Sequence, residues 1–273
     1  MSPERTSAEE NGGIARIFLR YAQAFAWVRN VPVLGPAARW ASGKLVPRGT
    51  LSWVQVRHGV GAGLWMRVNP RTGGQTLQGT GEPAVQDALQ KNLRPGMIFF
   101  DLGANIGFFS LIGARLVGAA GRVVSFEADP EIAARLRENV AKNGFEHVAV
   151  EQRAVWSEPR MVTFARVDTA TSPDRGQGHV SSGEAGGDVI SVEAVSLDDY
   201  CRSGPAPDFI KCDVEGAEIE VFRGAKCVFA EKRPIFLCEL HGEEQRRMLT
   251  AELSALGYRC TDCDATHLLA LPQ

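Results

Sequence analysis

After Pro95 the chain alternates short apolar runs with stretches of helical periodicity, an order that few architectures accept. MIFFDL, GRVVSFEA, HVAVEQRAV, DFIKCDV and PIFLCEL read as strands. Between them IGFFSLIGARLVG, PEIAARLRENVAKNG, SLDDYCR, GAEIEVFRGAKCVFAEK and GEEQRRMLTAELSALG read as helices. Strands that are apolar on both faces and joined through helices form a mainly parallel sheet covered on each side. The pattern predicts a doubly wound α/β domain over residues 95–273, closed by YRCTDC and HLLAL as final strands. One segment breaks the rhythm: MVTFARV and VISVEAV are strand-like and flank a polar Gly/Ser-rich loop, residues 172–187.

Residues 1–94 read as an N-terminal α+β cap. Helical patterns fall within residues 13–47, LSWVQVRHGV and GLWMRVNP read as strands, and EPAVQDALQKNL as a helix. Charge is uneven here. Between Asn11 and Gly81 there are nine Lys or Arg and no Asp or Glu, although the whole chain has a net charge of -2. Such a stretch either packs beside an acidic domain or meets an anionic surface. Phe18, Phe25, Trp27 and Trp40 accompany the arginines, which would suit peripheral membrane contact by an interfacial helix. Residues 14–28 are too short and too charged to span a bilayer, and they lack the cleavage pattern of a secretory signal. The six cysteines all lie in the last third of the chain, and Cys260 and Cys263 form a lone CxxC with only His267 nearby. That is no zinc framework, and unpaired thiols suit a cytoplasmic location.

The stretch FFDLGANIGFFSL carries the chemistry. Apolar residues lead into Asp101, a turn with Gly103, Asn105 and Gly107 follows, and a helix begins. Ligands of such sheets bind beyond the carboxyl ends of the strands, where glycine lets backbone approach. A dinucleotide fingerprint would need glycines at 101, 103 and 106, where this chain has Asp101, Gly103 and Ile106. An acid at 101 repels a pyrophosphate, which argues against a nicotinamide enzyme, and suits the cationic amino-acid end of a sulfonium cofactor. Glu127 follows 24 residues after Gly103 at the end of the next strand, placed to accept both hydroxyls of a ribose. Each feature alone has a plain structural reading, a tight corner or a helix N-terminal charge; together in one βαβ unit they specify a site.

Over residues 82–241 the chain resembles the FkbM family of S-adenosylmethionine-dependent methyltransferases. The resemblance rests on EPAVQDALQKNLRPGMIFFDLGANIGFFSL, GRVVSFEADP, LRENVAKNG, SLDDY and, most specifically, KCDVEGAEIEVFRGA. Cys212 stands where the family usually has an apolar residue. The resemblance implies a seven-stranded Rossmann-like sheet with a reversed final strand. It implies S-adenosyl-L-methionine as cofactor, with Asp101, Gly103, Asn105 and Gly107 around its methionine end, Glu127 and Ala128 at the ribose, and Arg153 and Ala154 at the adenine. It also suggests O-methylation of a sugar or secondary metabolite.

A hydroxyl acceptor must lose its proton. Asp213 closes one strand beside the expected crevice, Glu239 and His241 close the next, and Glu215 and Glu218 open a helix. One reading makes Asp213 or His241 the base, with Glu215 beside them. A second makes Asp213, Glu239 and His241 ligands of a divalent metal; the metal-free reading is the simpler one. Glu218 reads as a helix-dipole charge paired to Lys211 or Arg223. Arg175 and His179 on the polar loop are candidate acceptor contacts. The expected partner is a small molecule, a glycan or a metabolite, with no nucleic acid. The alternative from another class is a catalytically silent scaffold that keeps the cofactor pocket.

Overall fold

The computed structural model describes residues 51–69, 73–166, 178–180 and 189–273. Strands β1 (Ser52–Gln55) and β2 (Trp65–Val68) pair antiparallel and bury Val54, Met66 and Val68. A short helix α1 (Gly74–Gln78) and α2 (Pro83–Asn92) follow. Val54, Met66, Leu77, Val85 and Leu89 belong to the same apolar cluster as Phe99, Leu111 and Leu136 of the following domain. The side chains of Asn139 and Asn143 accept the backbone N–H groups of Arg67 and Trp65. The boundary expected at residue 94 is therefore no gap in the packing. From residue 51 onward the cap is one wall of the domain, because neither the hairpin nor α2 could bury its apolar face alone.

The main sheet begins with β3 (Ile98–Leu102), followed by helix α3 (Phe108–Val117), strand β4 (Arg122–Phe126), helix α4 (Pro130–Asn143) and strand β5 (Val148–Glu151). Asp129 starts α4 by accepting the N–H groups of Glu131 and Ile132, Pro130 occupies its first turn, and Gly144 ends it in the left-handed conformation. Each is a strong boundary device, and losing the Asp129 cap alone would cost about 1 kcal/mol. The expected strand HVAVEQRAV divides after Glu151. Its end, β6 (Ala154–Val155), leaves the main sheet and joins β7 (Arg160–Ala165), β8 (His179–Val180) and β9 (Val189–Val195) in a second sheet of order β6-β9-β7-β8.

Helix α5 (Leu197–Ser203), capped by Ser196, leads to β10 (Phe209–Cys212). The next expected helix is broken in two, α6 (Glu218–Arg223) and a π-helical turn, Val228–Lys232. Gly224 lies so close to Trp156 that a Cβ there would sit 2.2 Å from the Trp156 carbonyl oxygen. Asp198 then caps the second piece by accepting the N–H groups of Cys227 and Val228. Strand β11 (Ile235–Glu239), helix α7 (Glu243–Ala255), β12 (Tyr258–Asp262) and β13 (His267–Pro272) complete the chain.

The sheet has seven strands in the order β12-β13-β11-β10-β3-β4-β5, parallel from β11 to β5, with β13 antiparallel to both its neighbours. Period-two alternation sorts its side chains between two cores. Phe99, Phe209 and Leu237 face the cluster with α3 and α4, while Phe100, Ile210, Cys212, Phe236 and Cys238 face the opposite cluster. Each such residue buried whole stabilises the fold by about 1.5–3 kcal/mol in water-transfer terms. The strand order reverses direction between β3 and β10, which sets the ligand crevice at their carboxyl ends. Among the described residues no helix is long and apolar enough to cross a membrane. Phe18, Phe25, Trp27 and Trp40, and Arg175 of the polar loop, lie outside the described residues.

Gly103 joins the two halves of this crevice. Its φ is +73°, and a Cβ on it would sit 1.8 Å from the Asp213 carbonyl oxygen. Gly103→Ala should cost at least about 2 kcal/mol and lower Tm by several degrees. Gly74→Ala, at a position with open space and ordinary φ, should stay within about 0.5 kcal/mol of the parent. Thermal denaturation of the two variants side by side reads the difference.

Candidate active site

The turn after β3 is held by the end of β4. Gly103 and Ala104 both donate their N–H to the Phe126 carbonyl. One residue on, the Glu127 carboxylate accepts the N–H of Asn105 at 2.8 Å on Oε2 and the N–H of Asp129 at 2.9 Å on Oε1. The glycine corner and the glutamate expected to cooperate thus touch. Burial pushes the Glu127 carboxyl up to about 7 against the pull of its two backbone donors. Asn105 reaches its place in the left-handed region, φ +50°. Gly107 is left-handed too, but it serves packing: a Cβ there would collide with Leu136 of α4, and it does not line the cavity.

A cavity of about 710 Å³ opens over the switch point, within the size range of small-molecule sites. Gly103, Asn105, Glu127, Ala128, Arg153 and Ala154, all expected at a cofactor, line it. So do Asp213, Glu215 and His241. Asp101 does not. It is fully buried beneath the corner, where Ser110 donates to its Oδ2 at 2.5 Å, and Ser125 donates in turn to Ser110. The side chain facing the cavity from that level is Lys211. Its Nζ lies 3.1 Å from Asp213 Oδ2 and 3.8 Å from Asp101 Oδ1. Burial opposes the charge on Lys211, yet Asp213 and Asp101 hold the ammonium well above its usual range. For Asp101 burial dominates and raises its pKa, although Lys211 and Ser110 pull the other way.

The sequence offers Lys211 or Arg223 as the partner of Glu218; in the structure Lys211 meets Asp213 and Asp101, and Arg223 meets Glu220. Glu218 is fully buried; its Oε1 accepts the Gly216 N–H at 2.9 Å and stands 3.2 Å from His241 Nδ1. Glu215, with φ +53°, places Oε2 3.4 Å from His241 Nε2. The imidazole is therefore gripped between two carboxylates that act on its orientation.

Asp213, Glu239 and His241 converge, each with a ligand atom within 4.8 Å of the others. Asp213 and Glu239 hydrogen-bond side chain to side chain. Burial works against both charges; Lys211 holds Asp213 below its usual range, while Asp213 itself helps raise Glu239. Two neighbouring carboxyls of this kind share one proton. Several lining residues carry no local signal in the sequence. Glu82 and Gln75 come from the N-terminal wall, Phe164 and Val180 from the second sheet. Gly178 and Val180, inside the polar loop, reach the cavity wall; His179 is placed by backbone register opposite Ala165.

One half of the cavity thus offers hydrogen-bond acceptors and glycine-lined backbone, and the other offers carboxyls with an imidazole. The model of the methyltransferase FkbM domain matches residues 101–260, more than half of the chain. A 70-residue stretch is 39% identical to an arsenite methyltransferase of Halobacterium salinarum, spanning 26% of this chain and 17% of that protein. Among solved structures, a methyltransferase FkbM from Methylobacillus flagellatus KT is 20% identical with a TM-score of 0.46, covering 71% of this chain and 54% of the other. Aeropyrum pernix fibrillarin, solved with bound S-adenosyl-L-methionine, is 14% identical with a TM-score of 0.44, covering 81% of this chain and 98% of its own. The seven-stranded order with its reversed last strand and the match from Asp101 to Cys260 lead to one assignment: this chain belongs to the FkbM methyltransferase family.

Proposed function

We propose that the chain is an S-adenosyl-L-methionine-dependent O-methyltransferase acting on a hydroxyl of a sugar or secondary metabolite. The observation that carries this reading is Glu127. Each of its oxygens accepts one backbone N–H and keeps lone-pair capacity for one more donor, which suits the paired hydroxyls of a ribose. Ala128, Arg153 and Ala154 continue the wall toward the place of an adenine. Lys211 rather than Asp101 presents charge to the cavity, which suits the carboxylate of the donor's methionyl end.

When bound, the cofactor supplies a methyl group on a positively charged sulfur, whose carbon–sulfur bond breaks as the new bond forms. The chain's residues do the rest. Gly103 and Asn105 hold the backbone close to the donor, and the walls exclude water. Asp213, kept ionised by Lys211, takes the acceptor's hydroxyl proton as its oxygen attacks the methyl carbon. His241, steadied by Glu215 and Glu218, contacts the acceptor from the open side.

Two measurements test this. Glu127→Gln should weaken donor binding by about 10- to 100-fold in calorimetry. Because the raised Glu127 pKa lies near 7, protonation on acidification replaces an acceptor with a donor. Parent affinity should then level off above 7 and fall below it toward the affinity of Glu127→Gln, and the pH dependence should vanish in Glu127→Gln. A flat profile in the parent would remove Glu127 from the ribose. Separately, Asp213→Asn should lower kcat by about 100-fold in an assay with labelled donor and glycan or metabolite extracts. Turnover equal to the parent's would exclude Asp213 as the base.

A further inference from the structure

The reversal of β13 sets His267 directly opposite Glu239 in the antiparallel register. His267 is 4% exposed and belongs to no step described above. Its Nδ1 lies 2.9 Å from Asp264 Oδ1, and the same carboxylate accepts the backbone N–H groups of Thr266 and His267. That arrangement fixes the proton on Nδ1 and turns Nε2 inward. Nε2 is buried and makes no hydrogen bond. It points at Glu82 Oε2, 3.5 Å away, and Glu239 Oε2, 3.9 Å away.

Those separations are longer than charge-assisted hydrogen bonds and leave room for an ion between the three groups. An imidazolium lodged between carboxylates would draw them to about 2.7–2.9 Å. Ligands on a common tetrahedral ion with bonds near 2.1 Å stand about 3.4 Å apart. A carboxylate on the far ring nitrogen is the usual support of a metal-bound histidine. Glu82 adds a second sign. It holds φ +42° at the start of α2, a conformation that disfavours a residue of its size. Gln86 braces the turn before it by donating to the carbonyls of Gly79 and Gly81.

We propose that Glu82, Glu239 and His267 form a binding site for one first-row divalent cation. Two carboxylates and one imidazole suit manganese(II) or zinc(II) better than magnesium or calcium. Glu82 and Glu239 also line the cavity, so an ion held there faces it with open coordination positions. The site is distinct from the Asp213, Glu239 and His241 group, although the two share Glu239. Cation binding itself does not depend on the methyltransferase chemistry; a role in orienting the acceptor oxygen rests on that reading.

The test uses the full chain, stripped of metal with a chelator and titrated with manganese(II) chloride and with zinc(II) chloride, without donor or acceptor. One saturable site is expected by calorimetry with at least one of them. Glu82→Gln, half-exposed and close in size, should weaken it at least tenfold, and His267→Gln likewise, with circular dichroism confirming that each variant is folded. Glu158→Gln, in the turn between β6 and β7 and outside the cavity lining, should leave it unchanged. No saturable site with either ion overturns the proposal, as does binding that survives both Glu82→Gln and His267→Gln. Binding lost only in His241→Gln places the ion on the neighbouring group and overturns it as well. Donor binding is measured on the same samples, so failure here and failure of the methyltransferase reading are separate results.

Discussion

The carboxylate of Glu127 is the joint on which this site depends. By accepting one N–H from the corner after β3 and one from the corner before α4, it ties two strand ends into a single rigid ledge. Backbone donors in such corners must be satisfied or pay the cost of burial. Here a single side chain satisfies two of them and still faces the cavity. Precision of this wall of the cavity then follows from backbone geometry rather than from long flexible side chains. The same interaction lets the carboxyl be buried and still line the cavity, since the groups that hold it favour the charge that burial opposes.

Beneath that ledge, charge is organised by Lys211. It is almost fully buried between Asp101 and Asp213, on the strand that crosses the switch point. A buried ammonium with one carboxylate partner would be expensive, and two partners compensate it better. The consequence for function is directional. Asp101 is drawn inward by Ser110 and the ammonium, and Asp213 is left at the cavity surface with its proton affinity reduced. Two acids of similar sequence context thus take different places, one inside the framework and one at the cavity surface.

How much of this could be read from the residues depends on distance along the chain. The pairing of Gly103 with Glu127 was legible because both belong to one βαβ unit, where strand length and helix length leave little freedom. The alternation around Phe99, Phe209 and Phe236 made the sheet legible for the same reason. Asp101 was placed on the correct strand end but on the wrong side of Lys211, because strand position does not reveal which neighbour a carboxylate will choose. The break at Gly224 escaped notice because its cause is the backbone of Trp156, far away in sequence. In the sequence His267 stands beside the CxxC of Cys260 and Cys263. Its partners Glu82 and Glu239 come from other parts of the chain, and no local periodicity announces them.

That contrast divides the cavity by its origin. The half around Glu127 is built from consecutive elements and follows from a short stretch of sequence. The half around Asp213, Glu239 and His241 is closed by pieces that meet only after the fold is complete: the corner at Glu82, the inserted sheet at Phe164 and Val180, and the reversed strand that carries His267. The two halves are still joined: Arg166, just after β7, pairs with Asp129, whose N–H the Glu127 carboxylate accepts. The elements most distant in sequence from the glycine corner are the ones that shape the half of the cavity away from Glu127.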